Sequence, residues 1–331
     1  MRHITKRKFV PYLIRHRQLH TPQQQPRRRS SLPSVDVAKP CPRGCPDVKA
    51  FQQTAFIPKK PLLFPKGAGS PITHLPVFPF ARLATDEFLN WPFPYELMKS
   101  SRNQDSAFAF CEFLSASSDT TDQIMAGILR SALDENPNME FYQTHAPYKL
   151  LIKALEFNQS RDPAVRDPLQ LYIAQSPLSD LPQPLQNDIR APELVRRTGK
   201  GDIYNSSIWL GTEPTYTPLH RDPNPNLFCQ LWSRKVVRLL PPSTGDRLFF
   251  EVQEQVQQQG NSRIRTADMM QGKERPVLHD AIWENESPPD DMCEAELEAG
   301  DALFIPEGWW HSVKSMQSNG SLNASVNWWF R

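Results

Sequence analysis

Two rhythms of apolar and polar positions divide the chain. Between about residues 85 and 195 apolar positions recur at helical spacing. TTDQIMAGILRSALDENP is the clearest helix: Thr120 or Thr121 caps it, Ile124, Ile128, Leu129 and Leu133 make a stripe, and Asn136-Pro137 stops it. ATDEFLNWPF, with Thr85 as cap and acidic residues in the first turn, predicts a short helix. Another is placed either in PLQLYIAQSPL or after it in LPQPLQNDI, while AFIPKKPLLF upstream reads as a short extended piece broken by proline. Helices are therefore expected to dominate this part.

After about Asp202 the rhythm shortens. IYNSSIWLG, LFCQLW, KVVRLLPP, ALFIPEGWWHSV and LNASVNWWF are short β-rich runs punctuated by turns, a pattern that predicts an antiparallel barrel or jelly roll. Residues 251–296 interrupt them as a polar insertion longer than an ordinary connection, hence functional or partly disordered. Residues 1–46 are basic, rich in Gln, Pro and Ser, and sustain no periodicity. The expected division is a basic disordered or targeting segment over 1–46, an extended and helical part over 47–195, and a jelly-roll core over 196–331.

Composition narrows the picture. With 331 residues, 39% of them apolar, the chain can bury a sizeable core. Its 33 prolines against 13 glycines favour extended segments and turns over long helices. Net charge is only +2 and the globular part shows no basic stripe, so nucleic-acid binding has no support from charge. The balance is uneven, because no acidic residue precedes Asp36. MRHITKRKFVPYLIRHRQLH has the composition of a mitochondrial transit peptide, and PRRRSSLPS that of a nuclear import or phosphorylation signal. A solvated basic tail fits as well, so mitochondrial, nuclear and cytoplasmic locations all stay open. Cys41 and Cys45 form a CPRGC pair without a second pair at zinc spacing, and Cys111, Cys229 and Cys293 are scattered. They read as reduced thiols of an intracellular protein. No apolar run approaches the ~20 residues of a membrane span.

The candidate chemistry lies in TPLHRDPNPN. In a strand or at its end, residues two apart face the same way, so His220 and Asp222 aim an imidazole and a carboxylate at one point. A third ligand must come from a distant strand. His3, His16 and His20 lie in the tail, His74 and His145 upstream, and His279 in the insertion, which leaves His311 in GDALFIPEGWWHSV. Two histidines and one carboxylate with open positions form the facial triad of non-haem Fe(II) oxygenases. The competing reading makes His311 a core histidine packed on Trp309 and Trp310. Lys235, at the end of LFCQLWSRK, would be costly inside a barrel unless paired with an anion such as a dicarboxylate. Thr217 and Asn226 can donate hydrogen bonds to that same carboxylate.

TPLHRDPNPNLFCQLWSRKVVRLLPP, GDALFIPEGWWHSV and SVNWWF together resemble a Jumonji-C (JmjC) domain of the small, hydroxylase-like, cupin-type branch. LYIAQSPLSDLPQPLQNDI is similar to the segment leading into the barrel of these proteins, so the likeness covers roughly residues 150–331. It implies a mostly β fold with flanking helices around a double-stranded β-helix (jelly roll, cupin) core. It further implies Fe(II) held by His220, Asp222 and His311, with 2-oxoglutarate and O2 as cosubstrates. Lys235 matches the residue that pairs with the distal carboxylate of 2-oxoglutarate, Thr217 and Tyr172 the hydroxyls that reach it. Asn226 matches a polar residue of the cosubstrate pocket and Asn327 an asparagine near the metal. Trp209 and Trp310 are candidates for the substrate-pocket wall, core packing explaining them equally well. The 251–296 insertion has no fixed counterpart, and substrate choice is expected to depend on it. The implied activity is hydroxylation of a protein side chain. Alternatives are lysine demethylation, RNA hydroxylation, or a non-catalytic cupin-type binding protein.

Overall fold

The computed structural model describes residues 32–39, 46–67, 69–72, 85, 87–98, 104–135, 141–161, 167–256 and 273–331. Its strands are β1 (Leu62–Phe64), β2 (Pro92–Met98), β3 (Phe141–Pro147), β4 (Leu171–Pro177), β5 (Ile203–Thr212) and β6 (Tyr216–Arg221), followed by β7 (Asn226–Trp232), β8 (Arg234–Leu240), β9 (Cys293–Glu298), β10 (Ala302–Ile305), β11 (Trp310–Ser315) and β12 (Leu322–Phe330). They form two antiparallel sheets in the order β1-β10-β7-β12-β5-β4-β2-β3 and β6-β11-β8-β9. The jelly-roll expectation holds. The larger sheet continues past 196, because β4 pairs with β5 through Tyr172↔Gly211 and Ile173↔Leu210.

Alternation along the central strands explains the layers. On β12, Leu322, Ala324, Val326, Trp328 and Phe330 belong to a core shared with Leu227, Cys229 and Leu231 of β7 and Ile208 and Leu210 of β5. The same core takes in Leu114, Leu129 and Leu151, from helices Gln104–Ser115, Thr120–Glu135 and Lys149–Gln159 that cover the sheet. The opposite parity of β12 is Asn323, Ser325, Asn327 and Trp329, all buried, so the inner face of this strand is polar along most of its length. The outer face of the smaller sheet is covered by helix Pro242–Val256, where Leu248, Phe249 and Val252 pack with Leu219, Leu240 and Trp310. Between the sheets a third cluster, with Phe228, Val237, Leu239, Leu303, Ile305 and Val313, fills part of the interior.

Several sequence expectations are corrected. Residues 85–195 hold β2, β3 and β4 as well as helices. PLQLYIAQSPL contains β4, and the helix follows at Gln183–Asp188. Residues 87–90 are turns leading into β2 rather than a helix. Two prolines disguise β2 as non-strand. They are tolerated because β4 pairs with it only at Glu96 and Leu97, leaving Pro92 and Pro94 without a neighbour on that side. The helix at Thr120–Glu135 is present, capped by Asp119 Oδ1, which accepts the Thr121 N–H at 2.8 Å. Its buried stripe is Asp122, Met125, Ala126, Leu129 and Leu133, while Ile124 and Ile128 are 58% and 57% exposed. The face rotates because Lys149, at 2.9 Å, and Lys153, at 3.5 Å, pull Asp122 inward as an ion-paired anchor. The 251–296 insertion begins inside helix Pro242–Val256 and ends in β9, which pairs with β8; residues 257–272 lie outside the described residues. So do Cys41, Cys45 and the basic segment up to residue 31. Among the described residues no helix is long and apolar enough to cross a membrane.

Candidate metal centre

β6 and β11 are neighbours in the smaller sheet, and their register sets His220 opposite His311. The two rings lie 4.2 Å apart, and Asp222, one residue beyond β6, brings its Oδ2 to 3.6 Å from His311 Nε2. Potential ligand atoms of the three residues fall within 4.8 Å of one another. No other group of three or more His, Cys, Asp or Glu side chains among the described residues is placed to hold a metal ion. His145 sits on β3, and His279 contacts Lys314 and Tyr216. His74 lies outside the described residues.

Each ligand is oriented by a near neighbour. His220 Nδ1 meets the Pro218 carbonyl at 2.9 Å and His311 Nδ1 the Trp309 carbonyl at 3.3 Å. A carbonyl only accepts, so both Nδ1 atoms carry the proton and each Nε2 carries a lone pair, the tautomer in which an imidazole ligates a metal through Nε2. Asp222 Oδ2 accepts the Asn226 amide at 2.8 Å, and Asn226 Oδ1 accepts the Asn327 amide at 2.9 Å. The asparagines of β7 and β12 thus brace the carboxylate from the larger sheet. Asn226 also lines the pocket, with its amide directed to Asp222.

The ligands open onto a pocket between the sheets, lined also by Tyr172, Trp209, Thr217, Asn226, Phe228, Lys235, Val313, Asn327 and Trp329. Trp310 is not in this wall. As the strand neighbour of His311 it faces the other way, into the core beneath helix Pro242–Val256. Trp329, two residues from Asn327, takes the place expected for it. A Cβ on Gly211 would overlap the Tyr172 ring, so glycine there lets the tyrosine lie across β5 and reach the cavity.

Lys235 projects from β8 into the same cavity, 2% exposed, its ammonium donating to Ser325 Oγ at 2.9 Å. The rings of Phe228 and Tyr172 lie 5.5 and 5.9 Å from it. Desolvation pushes its pKa down to about 7, against the pull of the buried Glu213 carboxylate. Glu213 is itself raised by burial and takes hydrogen bonds from Ser233 and Asn323. A buried ammonium with one hydroxyl partner is an unfinished ion pair, and an incoming carboxylate completes it.

The donor set suits a borderline divalent metal with open positions toward the cavity, and Lys235 suits a dicarboxylate lying between it and that metal. Sequence reasoning missed Ser325, Phe228, Val313, Trp329 and Glu213. The first four were readable from strand parity with Asn327, Asn226 and His311, whereas nothing in the sequence around Glu213 marks it.

A family described as "Cupin-like domain" matches residues 89–331. Lysine-specific demethylase JMJ30 of Arabidopsis thaliana is 31% identical over 162 residues, 48% of this chain and 33% of that protein. JmjC domain-containing protein D of Dictyostelium discoideum is 32% identical over 46% of this chain and 34% of its own length. Lysine-specific demethylase 8 of Danio rerio is 30% identical over 48% of this chain and 36% of its own length. The matched stretch thus spans about a third of each of these relatives. With the two-sheet barrel, the converging His-Asp-His set and a family match over most of its length, the chain belongs to the cupin-like family, in its JmjC branch.

Proposed function

We propose that this chain is an Fe(II)- and 2-oxoglutarate-dependent dioxygenase that hydroxylates a protein side chain. The observation that carries this is one cavity with two imidazoles and a carboxylate at one end and a buried, under-satisfied ammonium at the other. His220, Asp222 and His311 would hold the iron. Lys235 would meet the distal carboxylate of 2-oxoglutarate, with Thr217 and Tyr172 offering hydroxyls beside it. When bound, iron, 2-oxoglutarate and O2 supply the oxidising power to convert a substrate C–H into C–OH, the 2-oxo acid leaving as succinate and carbon dioxide.

The protein's own part is orientation and exclusion of water. Asn327 and Asn226 fix the carboxylate of Asp222, and the Pro218 and Trp309 carbonyls fix the imidazole tautomers. Trp209, Trp329 and Phe228 keep the cavity wall apolar, which strengthens the charge interactions inside it. Replacing His220 or Asp222 by Ala is expected to reduce succinate formation from 2-oxoglutarate to background. Wild-type turnover in either variant removes the assignment.

Lysine demethylation is the second reading, favoured by relatives named as lysine-specific demethylases. Hydroxylation of an N-methyl carbon releases formaldehyde, so the two readings separate in one assay. Incubation with methylated histone peptides yields formaldehyde in one case, and a stable gain of one oxygen on an unmethylated protein substrate in the other.

A further inference from the structure

We propose that Asp246 is a positioning residue for the metal ligands, fixing the separation of the two ligand strands from the face opposite the cavity. Arg221 lies between His220 and Asp222, and strand alternation turns it to the outer face of β6. Trp310 stands in the same relation to His311 on β11. Both meet helix Pro242–Val256, where one atom, Asp246 Oδ1, accepts from Arg221 Nη1 at 2.7 Å and from Trp310 Nε1 at 3.0 Å. The Arg221 guanidinium also lies 5.2 Å from the centre of the Trp310 ring, so the three groups close a triangle across both strands.

This single oxygen is bonded to a residue flanking each of the three ligands: Arg221 flanks His220 and Asp222, and Trp310 flanks His311. The helix is held close enough for the contact because Gly245 leaves room for the indole, where a Cβ would overlap the ring. Phe249 packs on the same indole at 4.8 Å. The side chains of Arg221 and Asp246 are 25% and 38% exposed. An ion pair this accessible to water contributes little to stability, so its main effect is geometric.

The proposal rests on His220, Asp222 and His311 being metal ligands, and its test separates the two ideas. Co(II) is titrated into the wild-type protein and into Asp246→Ala, Asp246→Asn and Arg221→Met, with visible absorption recording affinity and ligand field. Thermal melts of the metal-free proteins record stability. Asp246→Ala is expected to weaken Co(II) binding by up to about 10-fold, the low end of what losing a direct partner of a ligand costs, and to shift the Co(II) bands. Arg221→Met is expected to act in the same direction, and combining it with Asp246→Ala to add less than the sum of the two. Asp246→Asn keeps an oxygen for Trp310 and is expected to fall between wild type and Asp246→Ala. Should Asp246→Ala not fold, the Asn and Met variants carry the test. A lower Tm with wild-type Co(II) affinity and bands marks Asp246 as a helix anchor only and overturns the proposal. Failure of the wild-type protein to bind Co(II) overturns the metal assignment and this proposal together.

Discussion

At the metal end of the cavity each ligand is oriented by a residue two or four positions away: His220 by Pro218, His311 by Trp309, Asp222 by Asn226. At the other end the Lys235 ammonium reaches a hydroxyl 90 residues distant, two aromatic faces, and the field of a buried carboxylate. The first arrangement is complete before any ion arrives, since local hydrogen bonds hold the lone pairs in place. The second is left under-satisfied by the fold. A site can thus be rigid where it must hold geometry and electrostatically incomplete where it must attract a ligand.

The largest test of this contrast is Lys235→Met. Loss of one partner of a buried ion pair costs about 3–5 kcal/mol, so 2-oxoglutarate binding should weaken by roughly 150- to 5,000-fold in calorimetric titration. The cosubstrate-free protein should melt at a higher temperature, because methionine fills the space without a desolvated charge. A lower melting temperature would show that Lys235 is already satisfied and would break the comparison.

The next effect is on pH. Burial holds the Lys235 ammonium at about 7, and a bound carboxylate raises it, so binding takes up a proton above that value. The dissociation constant of 2-oxoglutarate should be flat below pH 7 and rise about tenfold per pH unit above it. Calorimetry in buffers of different ionisation enthalpy should register the proton. Stability of the cosubstrate-free protein should respond in the other sense. Between about 7 and the ordinary lysine value of 10.5 the unfolded chain binds more protons than the folded one. The Lys235 penalty is therefore complete below 7 and is relieved as pH rises through that window.

The smallest effect separates the two ends. Thr217→Val removes one hydroxyl at the Lys235 end and should weaken 2-oxoglutarate binding by about 0.5–1.5 kcal/mol. Co(II) affinity should stay at the wild-type level, and a loss there would show that the two ends are coupled.

The legible parts of the site were those set by strand parity. His220 and Asp222 share a face, His311 had to come from another strand, and Lys235 stood out as a charge that a barrel interior tolerates only with an anionic partner. Parity applied once more would have turned Trp310 away from His311 and brought Trp329 in beside Asn327. Ser325 follows from the same parity with Asn327, whereas Glu213 resisted reading because it matters only through Lys235, near which the fold buries it. Upstream, prolines hid β2, and the exposed Ile124 and Ile128 drew attention from the buried, ion-paired Asp122 that sets the face of its helix.

β12 carries a consequence for how the molecule assembles. It is hydrogen-bonded to β5 on one side and β7 on the other, two strands that precede it by about a hundred residues. Without it those two edges would be left with unpaired backbone groups, the kind of edge that invites self-association. Ser325, Asn327 and Trp329 all stand on this one strand, so a single element bridges the sheet and supplies residues to both ends of the cavity.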